Sequence, residues 1–181
     1  MPSSTALTPF AASRNDVAAS SVREEQYVSF KVGEEEYGIN ILAVREIRGW
    51  TQENRLPNLP PYVRGVINLR GIIIPIFDLR ARFGGGATEV TQRHVVVVVQ
   101  VGSRTRGILV DAISDILSVR QDQIKPPPEL DNGLVDARYL SGLFTEDNRM
   151  VTLLDIAKLF AHDTVDDTHL AQALPAAVPA E

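Results

Sequence analysis

The chain has 181 residues, a formal net charge of −5 and no cysteine. That length suits one domain of ordinary size, and the negative charge leaves no electrostatic footprint for nucleic acid or an anionic membrane. Without cysteine there is no disulfide, thiolate metal site or cysteine nucleophile, which fits a reducing compartment.

Residues 1–24 are rich in Ala, Ser, Thr and Pro with scattered apolar side chains. They cannot bury enough surface to offset their ordering entropy, so a disordered tail is expected. The segment lacks a basic stretch followed by a continuous apolar one, so no secretion signal is read. The run Val95–Val99 is far short of the ~20 apolar residues a membrane span needs. A soluble, cytoplasmic protein is expected. Residues 25–162 are expected to fold, and 163–181, ending in ALPAAVPAE, form a second tail.

In Gln26–Val32, Val28, Phe30 and Val32 alternate with Tyr27, Ser29 and Lys31. The alternation predicts a half-buried strand, turned at Gly33 and returned by Glu36–Ile39. Ile41–Ile47 fits a short helix passing into a strand. Leu56–Pro61 carries too many prolines for ladder pairing and reads as a loop. Gly65–Arg80 (GVINLRGIIIPIFDLR) is a hairpin, with Asn68-Leu69-Arg70-Gly71 as the turn between two β-branched runs. Pro75 lacks a donor N–H and points to an edge or a bulge. Arg70 is thereby carried at the tip.

After the flexible Gly84–Gly86 link, the valine run of Arg93–Val101 implies a strand buried on both faces. Arg106–Val110 returns it, and Val110–Leu117 is a strand end or short helix. Tyr139–Phe144 and Arg149–Leu154 make a third hairpin. Asp155 is placed as N-cap of a closing helix, Ile156–Ala161. Many short strands with little helix predict a mainly β fold, a barrel or sandwich, in two blocks that share a core.

Catalytic constellations are missing: no G-x-S-x-G elbow, phosphate loop, G-x-G-x-x-G or H-E-x-x-H stands in the sequence. His94, His162 and His169 make no ligand set. Asp111 and Asp115 would share a helix face, which favours a solvated face over an acid/base dyad. No enzyme, cofactor or metal is expected. A small barrel that binds single-stranded nucleic acid would need a basic groove with stacking aromatics, and aromatic residues make up only 6% of this acidic chain.

Several motifs then occur in order: Glu36-Tyr37-Gly38-Ile39, Val44-Arg45-Glu46-Ile47-Arg48-Gly49, Val63–Gly71 (VRGVINLRG), Ile74–Arg80 (IPIFDLR), Gly107–Asp111, Ile124-Lys125-Pro126 and Tyr139–Gly142. This set resembles the CheW-like domain family of chemotaxis coupling proteins over the whole folded part. The resemblance implies two SH3-like five-stranded β-barrels packed on a shared hydrophobic core, with short helices and a C-terminal helix. It implies an adaptor that couples the cytoplasmic hairpin tips of chemoreceptors to the regulatory domain of a CheA-type histidine kinase. Other CheW-like domains would join it in ring assemblies, recruiting a cytoplasmic protein to membrane-associated arrays. A like domain within a larger kinase or a receiver-fused coupling protein, or a paralogue in a non-flagellar pathway, is the alternative.

Carried over residue by residue, the resemblance gives Glu46 and Arg70 as coupling residues. A Glu46–Arg70 ion pair would hold the hairpin against the first barrel. Asn68 would brace the turn, and Gly65 and Gly71 would supply positive φ. An apolar groove between the barrels would receive the receptor, with Ile39, Leu42, Val44 and Ile47 as candidates. Of these, Val44 is favoured as a contact, and Ile39 and Ile47 as core.

Overall fold

The computed structural model describes residues 23–127, 136–163 and 165. Strands β1 (Glu24–Val32) and β2 (Glu35–Asn40) turn at Gly33, whose φ of 65° suits glycine. A 3-10 turn over Ile41–Ala43, capped by the Asn40 side chain, leads into β3 (Val44–Gly49). The next elements are β4 (Val63–Leu69), β5 (Ile72–Asp78) and helix α1 (Leu79–Arg82). Then come β6 (Val95–Val101), β7 (Arg104–Val110) and β8 (Ala112–Arg120). The last are β9 (Leu140–Glu146), β10 (Arg149–Leu154) and α2 (Ile156–Leu159), which starts on the predicted Asp155 cap.

The strands form two five-stranded sheets, ordered β8-β1-β2-β10-β9 and β3-β6-β7-β5-β4. Each sheet closes on itself: beyond β3, Asn54 bridges Val66 of β4, and beyond β8, Lys125 bridges Leu143 of β9. One barrel is continuous in sequence (β3–β7). The other is split, with its β1–β2 hairpin far in sequence from β8–β10.

The wiring is the same twice. In each barrel a parallel pair sets a glycine against an apolar residue, Gly107 against Ile76 and Gly38 against Leu153. In each, a second glycine, Gly65 or Gly142, faces that same Ile76 or Leu153 on the other side.

Three apolar clusters follow from this. Val28, Phe30, Phe77, Val97, Val99 and Phe160 belong to one shared between the barrels. Tyr27, Leu117, Val119, Phe144 and Leu153 fill the split barrel, and Ile67, Ile74, Ile76, Val96 and Val98 fill the continuous one. Burying each such side chain contributes about 1.5–3 kcal/mol. The valine run of β6 is buried on both faces, as its composition predicts, because one face lines a barrel and the other the shared core.

Four expectations change. β1 is not half-buried: Tyr27 to Phe30 are all buried, because β1, like β6, separates a barrel interior from the shared core. Of the two readings of Val110–Leu117 the strand holds and the helix does not: Val110 ends β7, Asp111 is a bend and residues 112–117 lie in β8, so Asp111 and Asp115 share no helix face. Pro75 sits in an interior strand. Val66 directs its backbone groups to Asn54 and away from Pro75, so the proline nitrogen faces β7, where pairing begins only at Ile76. The folded unit also runs past residue 162. Val165 is buried in the shared core, and the Asp163 carboxylate lies 3.4 Å from the buried Arg106 guanidinium. Apart from Arg23, Glu24 and these C-terminal residues, the tails called disordered lie outside the described residues.

Candidate functional site

The β4–β5 turn is built by local chemistry. Arg70 and Gly71 take φ values of 52° and 87°, the left-handed pair of a two-residue hairpin turn. Asn68 Oδ1 accepts the Gly71 N–H at 2.8 Å, as expected of an Asx brace. Arg70 therefore stands at the tip on a backbone held from both sides.

Glu46 reaches this tip from β3. A bulge at Arg45 shifts the register, with Val44 opposite Val99 and Glu46 opposite Val98. Arg70 Nη2 lies 3.2 Å from Glu46 Oε2, and the side chains are 80% and 27% exposed. The expected ion pair is present, but it does not join two barrels. β3 and β4 are the two ends of one sheet, so the pair spans the seam where the continuous barrel closes. An ion pair this exposed is worth ~0–1 kcal/mol, and most of the guanidinium remains at the surface.

Gly65 is fixed by contact as well as by its φ of 154°: a Cβ there would lie 2.4 Å from the Asn54 carbonyl oxygen. That carbonyl accepts from Val66 N–H at 2.9 Å, and Val66 C=O accepts from Asn54 N–H at the same distance. Gly71 has open space around it and is fixed by φ alone.

Val44 packs against the shared core. Ile39 is core, as expected. Ile47 is not: it is 43% exposed, because along β3 the half-buried residues are Val44, Glu46 and Arg48. Leu42, in the 3-10 turn, is 86% exposed.

A buried polar cluster behind this site escaped the sequence reading. The fully buried Asp78 accepts Ala81 N–H at 3.1 Å, capping α1, and both Thr88 N–H and Thr88 Oγ1–H at 2.7 Å. Arg64 donates to the Thr88 carbonyl at 2.8 Å and stands 3.8 Å from Asp78 and 3.7 Å from Glu53. The cluster ties the segments on either side of the hairpin to its base. Its one legible signal was Asp78 standing as a cap before Leu-Arg-Ala-Arg.

Between the barrels lies a cavity of about 320 Å³. Val101, Leu154 and Ile156 give it apolar walls, and Tyr27, Asn40 and Ser141 give it polar ones. Tyr27 Oη–H donates to Glu25 Oε2 at 2.9 Å, and Asn40 Nδ2–H donates to the same oxygen at 3.1 Å. Burial, with the Glu25 carboxylate beside it, pushes the Tyr27 hydroxyl up to about 12.

Among the described residues no three His, Cys, Asp or Glu side chains come together to hold a metal. No described helix is long and apolar enough to cross a membrane. Two closed barrels with a braced hairpin tip at one end and a groove at their junction give the architecture of a scaffold module.

Comparison with known proteins is specific. Residues 26–164 match the CheW-like domain model. The chain is 45% identical to the chemotaxis protein CheW of Rhizobium meliloti over 135 residues, covering 75% of this chain and 86% of that one. It is 44% identical to the CheW of Klebsiella aerogenes over 139 residues, covering 77% and 83%. The crystal structure of the scaffolding protein TtCheW from Thermoanaerobacter tengcongensis superposes with a TM-score of 0.71 at 28% identity, covering 80% of this chain and 92% of that one. The chain belongs to the CheW-like domain family.

Proposed function

We propose that the protein is a chemotaxis adaptor that couples the cytoplasmic tips of chemoreceptors to a CheA-type histidine kinase. The observation that carries this reading is the Arg70 tip. Its side chain is 80% exposed on a turn fixed by Asn68 and Gly71 and anchored sideways to Glu46. A rigid, forked cation loses little freedom when a partner carboxylate or carbonyl engages it. Glu46 and Arg70 are thus the kinase-facing pair, with Gly65, Asn68 and Gly71 as their backbone supports. Val44, at the start of the strand that carries Glu46 and packed against the shared core, supports the surface from within. The inter-barrel cavity, with exposed Leu42 beside its Ala43 wall, is the seat of the receptor hairpin, in the manner of a helix laid in an apolar groove.

Calorimetry of the full chain with the regulatory domain of a CheA-type kinase from the same organism tests the reading. A complex of micromolar affinity or tighter is expected, weakened by Arg70→Ala and Glu46→Ala while both variants melt near the wild type. No binding to any such kinase of that organism would remove the adaptor reading.

A further inference from the structure

We infer that Glu25 is a specificity-determining residue of the inter-barrel groove and takes an arginine or lysine from the helical hairpin seated there. The inference rests on the groove reading above and goes beyond it by naming the chemistry the receptor must bring.

The observation is one of pairing. Charged groups withdrawn from water are found with a partner, because desolvation is otherwise uncompensated. Every other partly or fully buried carboxylate among the described residues has a basic nitrogen at 3.8 Å or closer. Glu36 has Arg149, Asp111 has Arg80 and Asp163 has Arg106. Glu25 is half-buried in β1 and has no basic partner among the described residues.

Position supplies the second observation. Glu25 Oε2 is held by Tyr27 and Asn40, both of which line the cavity. The carboxylate is thereby fixed at the groove rim, and Oε1 accepts no bond from the described residues. Asp155, also lining the cavity, already has Lys158 at 3.5 Å. The complementary ligand is an amphipathic helix with an apolar side chain for the cavity and a cation about one turn away for Glu25.

The test is calorimetry of the full chain with the purified cytoplasmic hairpin fragment of a chemoreceptor from the same organism, at about 50 and about 200 mM salt. Glu25→Gln keeps an acceptor for Tyr27 and Asn40. It is expected to weaken binding about tenfold at the lower salt and to flatten the salt dependence. Ser141→Trp, which fills the cavity, is expected to abolish binding. Both variants are expected to bind the kinase domain as wild type does. Should Glu25→Gln match wild type in affinity and salt dependence while Ser141→Trp abolishes binding, the Glu25 assignment is wrong and the groove reading stands. Undiminished binding by Ser141→Trp would overturn the groove reading and the assignment with it.

Discussion

The two barrels share one strand plan and differ at the positions where that plan leaves a choice. Tyr37 in the split barrel and Arg106 in the continuous barrel stand one residue before the matched glycines, Gly38 and Gly107, and both are buried. The tyrosine is accommodated locally: its ring meets Phe83 at 5.3 Å, and its hydroxyl donates to Glu35 two residues away. Burial and Glu35 push that hydroxyl well above the ordinary tyrosine range. The arginine draws on a distant segment, with Asp163 beside Nε and the Val165 carbonyl accepting from Nη2. An aromatic ring fills its site by packing, whereas a buried guanidinium needs several acceptors, of which β7 supplies the Thr105 carbonyl at 3.1 Å and the C-terminal segment adds Asp163 and Val165. The extra C-terminal turn is the structural consequence.

The hairpin tips differ in the same way. Glu46 and Arg70 of the continuous barrel correspond, by strand register, to Asp115 and Asp147 of the split one. One closing seam carries an ion pair, and its counterpart carries two acids. In the split barrel the cation is Arg149, paired with Glu36 on the neighbouring strand.

The sharpest way to break the comparison is at Asp163. Asp163→Ala should cost about 3–5 kcal/mol in denaturant unfolding, since it withdraws a carboxylate from a fully buried guanidinium. Tyr37→Phe, at the matched site, should cost about 1 kcal/mol. Equal losses would mean that the C-terminal segment is incidental to the continuous barrel.

The matched closing glycines come next. A Cβ at Gly65 meets the Asn54 backbone oxygen at 2.4 Å, whereas at Gly142 the nearest atom, at 2.3 Å, is the Ile124 Cγ2 methyl. A side chain can swing aside more readily than a bridged carbonyl. Gly65→Ala should therefore cost about 3 kcal/mol and Gly142→Ala about 1–2 kcal/mol, measured by the same unfolding series. The reverse order would show that the two closing bridges are not equivalent.

A smaller effect is expected at the tips themselves. Arg70→Ala should change stability by about 0–1 kcal/mol, because its ion pair is mostly exposed. A large loss in melting temperature would show that the Glu46–Arg70 pair holds the barrel shut rather than presenting a surface.

The smallest effect is one of pH. Burial tends to raise the Glu36 carboxyl, but the bonds and charge of Arg149, with the Ser29 and Ser114 hydroxyls, together outweigh that and hold it below the usual carboxylate range. A depressed folded pKa contributes stability that is fully present above the unfolded value, about 4.3, and is lost as pH falls through the folded value. Glu36→Gln should remove that part of the acid slope, and unfolding curves between neutral and acidic pH would read it. An unchanged slope would show that Arg149 does not hold Glu36 in solution.

Much of this was legible in the sequence, and the legible part has a common cause. The β4–β5 hairpin, the Asn68 brace, the Asp155 cap and the two-sided burial of the valine run follow from turn and capping chemistry and from an unbroken apolar run. These act over a few residues and need no knowledge of the rest of the chain. The motif order from Glu36 to Gly142 carried the family. What tertiary structure alone decided is non-local. The assignment of β1–β2 to the barrel of β8–β10 buries Tyr27 and Ser29 where alternation put them outside. The direction of the Val66 backbone makes room for Pro75 in an inner strand, and the phase of β3 in its sheet turns Ile47 outward. Arg106, a surface residue by composition, lies in the interior, where Asp163 and Val165 return from a distant segment to meet it. Short-range preferences set where strands and turns form, but which surfaces those strands cover depends on contacts between residues far apart in the chain.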